Sequence, residues 1–137
     1  MLDTLTYLAP ASGVLALVMA GVLFFRVRSQ PAGDGKMNMI AEDIAVGSMA
    51  FLKVEFAILA AYAVVVFGAI AVLLDMLTAV AFLAGSALSL CAGFAGMRAA
   101  TLANVRTAQA ARSTGRGDAL MVAFDGGAVM GLAVAGL

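Results

Sequence analysis

The chain has 137 residues, 64% of them hydrophobic and 12% charged, with a formal net charge of zero. A soluble domain carries roughly 45–50% apolar and roughly 25% charged residues, so the composition excludes a soluble core and fits an integral membrane protein. The neutral balance offers no basic footprint for nucleic acid, and with no His and one Cys the chain also excludes His-based catalysis, a His metal site and an internal disulfide.

Residues 5–25, LTYLAPASGVLALVMAGVLFF, make a first span, since roughly 20 apolar residues cross the hydrocarbon core. Pro10 is placed near the start of this helix, where a missing N–H costs little. The competing reading is a secretory signal peptide, which has basic residues ahead of its apolar run. Here Asp3 is the only charge ahead of the run, and Arg26 and Arg28 follow it. That order favours a retained helix. Residues 29–36, SQPAGDGK, form a turn.

Residues 37–55 read as an amphipathic helix. Met37, Ile40, Ala41, Ile44, Ser48, Phe51 and Leu52 recur at helical spacing, while Asn38, Glu42, Asp43, Met49 and Lys53 fall mostly on other faces. Glu42 and Asp43 are adjacent, so they point along different faces and are expected in solvent. The helix runs without a breaker into a second span, 56–74, which Asp75 closes. A third span, 76–97, continues past the membrane surface to Arg112. At about 1.5 Å per residue, the stretches 37–74 and 76–112 each reach roughly 55 Å, against roughly 30 Å of hydrocarbon. Both are therefore predicted to extend into the cytosol as nearly continuous helices and to pack beside each other there. Cys91, mid-membrane, reads as a small buried packing residue.

Residues 113–118, STGRGD, are expected to be a loop broken by Gly115 and Gly117, and 119–137 to be a fourth span. Gly93 and Gly96 are small enough to admit another helix, and Gly127 and Gly131 have GxxxG spacing. Leu137 ends an apolar run with no interfacial anchor, which reads as a truncated chain, the alternative being a short natural protein whose last helix ends at the far headgroups.

Basic residues set the topology. Arg26, Arg28 and Lys36 lie between the first two spans, and Arg98, Arg106, Arg112 and Arg116 between the last two, with none at the N-terminus or the second-to-third turn. The positive-inside rule then places both basic connections in the cytosol and the N-terminus outside. The expected fold class is an all-α, polytopic membrane helix bundle, one membrane domain over 1–137 with four spans.

Four residues stand out as weak structural or ion-path candidates. Asp125 lies a few residues into the fourth span, where an ionisable group is a functional hypothesis by default; it could line an ion path, lie near the headgroups or face the bundle interior. Arg106 and Asn104 could meet a phosphate or a neighbouring loop. Glu55 flanks the start of the second span with Lys53 and could pair with another helix. No catalytic, cofactor-binding or metal residue is assigned.

The segment 96–112, GMRAATLANVRTAQAAR, resembles the membrane-integral, ion-translocating inorganic pyrophosphatases, which carry a Gly-Met pair, then Ala-Thr-x-Ala-Asn-Val-Arg, then an Ala-rich turn. Lys36-Met37 with Ile40-Ala41, residues 47–52 (GSMAFL), 79–85 (AVAFLAG) and 124–132 (FDGGAVMGL) resemble the same family in the same order. The resemblance implies the first four helices of a longer pump that couples pyrophosphate hydrolysis to proton or sodium translocation. It implies Mg2+, with K+ as an optional further ion, a homodimer, and the inner membrane of a bacterial or archaeal cell. It also implies lipid, pyrophosphate and the remaining pump helices as partners. The family's acid-rich, magnesium-holding runs are missing here, so these helices would be scaffold and the chain alone inactive. The alternative is a stand-alone four-helix structural or assembly subunit; the reading frame downstream of codon 137 discriminates the two.

Overall fold

Backbone N–H and C=O groups cannot be left unpaired in hydrocarbon, and helix satisfies them within one segment. The computed structural model describes residues 2–137, with side chains from Tyr7 onward, so the Asp3 side chain lies outside the described residues. Four helices follow in order: α1 (Leu2–Ser29), α2 (Gly35–Leu73), α3 (Met76–Ser113) and α4 (Arg116–Gly136). All four are long and apolar enough to cross a membrane.

Helices α2 and α3 are continuous over 39 and 38 residues, so each outruns a bilayer as predicted. Their starts are fixed by side-chain caps. Asp34 Oδ1 accepts from the Met37 N–H at 3.0 Å, and Asp75 Oδ1 accepts from the Thr78 N–H at 2.9 Å. An N-terminal carboxylate satisfies an orphan amide and meets the positive end of the helix dipole. Gly115 takes φ +112°, a conformation that favours glycine, and turns the chain directly from α3 into α4.

Three expectations about boundaries and glycine contacts need correcting. Helix α1 begins at Leu2, so Pro10 lies inside it rather than near its start; membrane helices tolerate this because neighbouring groups re-satisfy the freed carbonyl. The predicted loop 113–118 shrinks to Thr114 and Gly115, and Gly117 is helical, since only Gly115 needs a positive φ. The GxxxG pair is not the contact: a Cβ at Gly127 or Gly131 would meet nothing, whereas one at Gly126 would collide with Ala103. Gly93 is likewise open, and Gly96 packs under Met130.

The reason lies in the register of α4. Apart from Asp125, which meets Arg26 of α1, its buried positions Ala119, Val122, Gly126, Val129 and Ala133 alternate steps of three and four, the spacing of a coiled-coil seam. The facing positions of α3 are Ala92, Gly96, Ala99 and Ala103, at the same alternating steps. Lipid tails are as apolar as Leu, so helices associate where small residues let backbones approach. Helix α1 joins this seam at the far end, where Gly13 packs against the backbone of Gly136.

Helix α2 touches α3 and no other helix. Its predicted apolar stripe is only partly covered. Met37, Ile40, Ala41 and Ile44 do turn toward α3 and line a groove with Asn104 and Val105. Leu52 is buried, but Phe51 remains 56% exposed, and farther along the second span Val72 is 83% exposed. Glu42 and Asp43 are both exposed, and so, against expectation, is Cys91. Cys91 lies off the Ala92–Gly96–Ala99–Ala103 seam, on the flank of α3 that faces α1 across a groove.

Candidate functional site

The polar groups gather at one end, where α1 stops, α2 starts and α3 turns into α4. Asp125 is 6% exposed and is the one buried polar or charged residue among the described side chains. It points toward α1, where Arg26 Nε lies 3.4 Å from its Oδ2. The Arg26 side chain is itself 56% exposed, so the pair spans the edge of the packed region.

Arg106 reaches the end of the same helix by another route. Its Nε donates to the Gln30 carbonyl at 3.1 Å and its Nη2 to the Arg28 carbonyl at 3.2 Å, while Nη1 donates to Leu102 of its own helix at 3.0 Å. The last carbonyls of a helix lack intrahelical donors and carry the negative end of its dipole. A guanidinium from α3 thus caps α1. Burial and then the nearby Arg28 lower its pKa; arginine stays charged across the accessible range.

A second tie sits beside it. Arg112 Nη1 lies 2.7 Å from Asp34 Oδ2, joining the end of α3 to the cap of α2. The Asp34 pKa is lowered, first by the Arg112 hydrogen bond and then by the Met37 amide. At the opposite end Asp75 is lowered by the Thr78 hydroxyl and then by the Thr78 amide.

Arg26, Arg106, Asp118 and Asp125 border one polar cavity of about 290 Å³. Two of the four candidates, Asp125 and Arg106, therefore share a site. Asn104 instead lines the groove toward α2, and Glu55 is half-buried on α2, a helix that does not touch α4. Neither Glu55 nor Lys53 has an ion-pair partner among the described residues. Arg26, read from sequence only as a topology determinant, is the partner that sequence reasoning missed. Its signal was depth: Arg26 lies in the last turn of α1 and Asp125 in the first half of α4, but their adjacency follows only once α1 and α4 are known to pack.

The implied magnesium can be tested against these side chains. Among the described residues no three Asp, Glu, Cys or His groups converge on a metal position. Asp125 faces an arginine, and Asp34 is held by Arg112 and the Met37 amide. Magnesium needs carboxylates free to converge on it, so these residues do not fit it, and no hydrolytic step is derived from them.

Comparison with known proteins gives one consistent result. The family described as "Inorganic H+ pyrophosphatase" matches residues 14–137. A putative K(+)-stimulated pyrophosphate-energized sodium pump of Clostridium tetani is 45% identical over 121 residues, covering 88% of this chain and 18% of that protein. A K(+)-insensitive pyrophosphate-energized proton pump of Methanosarcina mazei is 42% identical over 138 residues, 99% of this chain and 20% of that one. A K(+)-stimulated sodium pump of Thermotoga maritima is 41% identical over 124 residues, 90% of this chain and 17% of that one. The chain thus spans about a fifth of the length of these relatives.

Proposed function

The chain belongs to the inorganic H+ pyrophosphatase family, and on that premise we propose that it is the N-terminal scaffold of a pyrophosphate-energised ion pump. The observation that carries this reading is a mismatch of extent. The similarity runs over nearly the whole chain and about a fifth of each relative, while the described side chains tie helices together instead of gathering carboxylates. Arg106 caps α1, Arg112 holds the start of α2, and the small-residue seam locks α4 to α3.

In the whole pump, helices outside these four would hold pyrophosphate and magnesium, which neutralises the substrate and activates water. Hydrolysis there would drive protons or sodium across the membrane, in a homodimer, with potassium as a possible activator. The N-terminus lies outside and both basic connections are cytosolic, in a bacterial or archaeal inner membrane; the bias of seven basic residues toward those connections supports this. Cysteine labelling tests the orientation in a Cys91→Ser background. Positions Ser29 and Ser113 should react only from the cytosolic side, and reaction from outside would reverse the topology.

Activity is tested by magnesium-dependent phosphate release from proteoliposomes of the 137-residue chain. The expected rate equals that of an empty-vector preparation. Turnover above it, lost in Asp125→Asn or Glu55→Gln, would place catalysis in these helices and overturn the scaffold reading.

A further inference from the structure

Helices α1 and α3 touch only sparsely, although both pack near α4. Between them runs an open groove of about 470 Å³, walled by Leu17, Gly21, Phe24, Phe94 and Val129. Its lining is apolar except at Cys91 and, at the basic end, Arg98. Phe24 and Arg98 also line a second hollow of about 250 Å³, shared with Asn38, Glu42 and Arg106. The two hollows adjoin at these residues, apolar at membrane depth and polar toward the helix extensions.

We propose that this continuous groove binds a membrane aminophospholipid. One acyl chain lies along α1 and α3, the phosphate sits on Arg98 and the headgroup amine faces Glu42. The Arg98 side chain has no hydrogen-bond or ion-pair partner among the described residues, whereas those of Arg26, Arg106 and Arg112 are each engaged; the Arg28 and Arg116 side chains are free as well, but of the three only Arg98 lines the groove. An exposed guanidinium at the hydrocarbon boundary snorkels to the headgroup level, where lipid phosphates lie. Its planar fork matches a phosphate diester in two parallel hydrogen bonds. The groove itself gives little discrimination, because an acyl chain finds lipid tails equally apolar. Selectivity therefore falls on the headgroup. In the same chamber Arg106 spends its donors on the Gln30, Arg28 and Leu102 carbonyls, so Arg98 and Glu42 are the two ionic groups left free, and together they match a headgroup that adds a cation to the phosphate.

The test uses the 137-residue chain in nanodiscs, a phosphatidylethanolamine carrying a diazirine in its acyl chain, and mass-spectrometric mapping of the adducts. Adducts should concentrate on residues 17–24 and 91–95. Unlabelled phosphatidylethanolamine should compete; diacylglycerol, which lacks the phosphate, should not, and phosphatidylglycerol should compete less well. Arg98→Gln should lower groove labelling about tenfold, the loss of one charge-assisted contact, and Arg98→Lys should restore part of it. A second variant is independent of Arg98: a Cβ at Gly21 meets nothing within 4 Å, so Gly21→Leu fills the groove without displacing protein and should abolish labelling. Adducts spread evenly over exposed α2 residues such as Val64 and Val72, equal competition by diacylglycerol, or full labelling of Gly21→Leu would each overturn the proposal. No pyrophosphate enters the assay, so its outcome is separate from that of the pump reading.

Discussion

Helices α2 and α4 solve the same problem in opposite ways. α2 carries the most apolar stretch of the four and buries few of its residues; α4 carries the least apolar and buries the largest share. In water the order would be reversed. In a bilayer, hydrophobicity decides only that a helix inserts, and residue size decides what it packs against. α4 presents Gly and Ala at seam positions and meets both α3 and α1. α2 presents Val, Leu and Phe outward and leans on α3 alone, leaving a broad surface for lipid or, in a longer pump, for further helices.

The largest test of this contrast is a pair of glycine substitutions one residue apart. Gly126→Leu drives a side chain into Ala103 and should destabilise the α3–α4 pair by about 1–3 kcal/mol, the usual cost of overpacking. Gly127→Leu meets open space and should stay within about 0.5 kcal/mol of the parent. Unfolding in mixed detergent micelles reads both. Equal losses would mean that the seam is not what holds α4.

Arg106→Ala comes next. It removes the donors to the Arg28 and Gln30 carbonyls, which water at the interface replaces in part, so the expected loss is about 1.5 kcal/mol. Hydrogen exchange should rise at the end of α1 and not within α4. Lys at this position cannot span two carbonyls in one plane and should recover less than half of the loss.

A smaller effect is expected at Asp125. Its partner Arg26 is more than half exposed, so water screens the pair, and Asp125→Asn should cost under about 1 kcal/mol. Arg26→Ala should cost more, because it leaves a buried carboxylate without its ion pair. The reverse ranking would mean that Asp125 is held by something other than Arg26.

Much of the fold was legible because membrane insertion simplifies the reading. Four apolar runs, two of them extended without a breaker, gave four helices with two long ones, whereas Asp34 was read only as part of a turn and Asp75 only as the end of the second span, and both prove to be the caps that start α2 and α3. Partner choice was less legible. The pair Gly127/Gly131 fits the familiar spacing, yet Gly126 makes the contact, because the seam register is set by its neighbours Val122 and Val129 as well. Cys91 was read as buried because it is small, and it is exposed because it lies one residue off the α3 seam. At the site, a charge inside the fourth span singled out Asp125, but nothing in the sequence says that α1, 99 residues before it by way of Arg26, lies against α4.

The smallest predicted effect compares the two capping aspartates, one on each side of the membrane span of α2 and α3. Both have folded pKa values below the ordinary 3.8. Between the folded value and 3.8 the unfolded chain binds more protons, so stability rises with pH there. Each cap thus contributes fully above the unfolded value and is lost as pH falls through the folded one. The two caps differ in what holds them. Asp75 has the Thr78 hydroxyl and amide, both from the helix it caps, whereas Asp34 has Arg112 from another helix as well as the Met37 amide. Arg112→Gln should therefore move the Asp34 midpoint back toward 3.8 and leave that of Asp75 unchanged. Amide shifts of Met37 and Thr78, followed by NMR from pH 6 downward, read the two midpoints separately. If Arg112→Gln leaves the Asp34 midpoint where it was, the cap of α2 is as local as that of α3, and the α2–α3 contact at the basic end must rest on the apolar groove of Met37, Ile40 and Val105 alone.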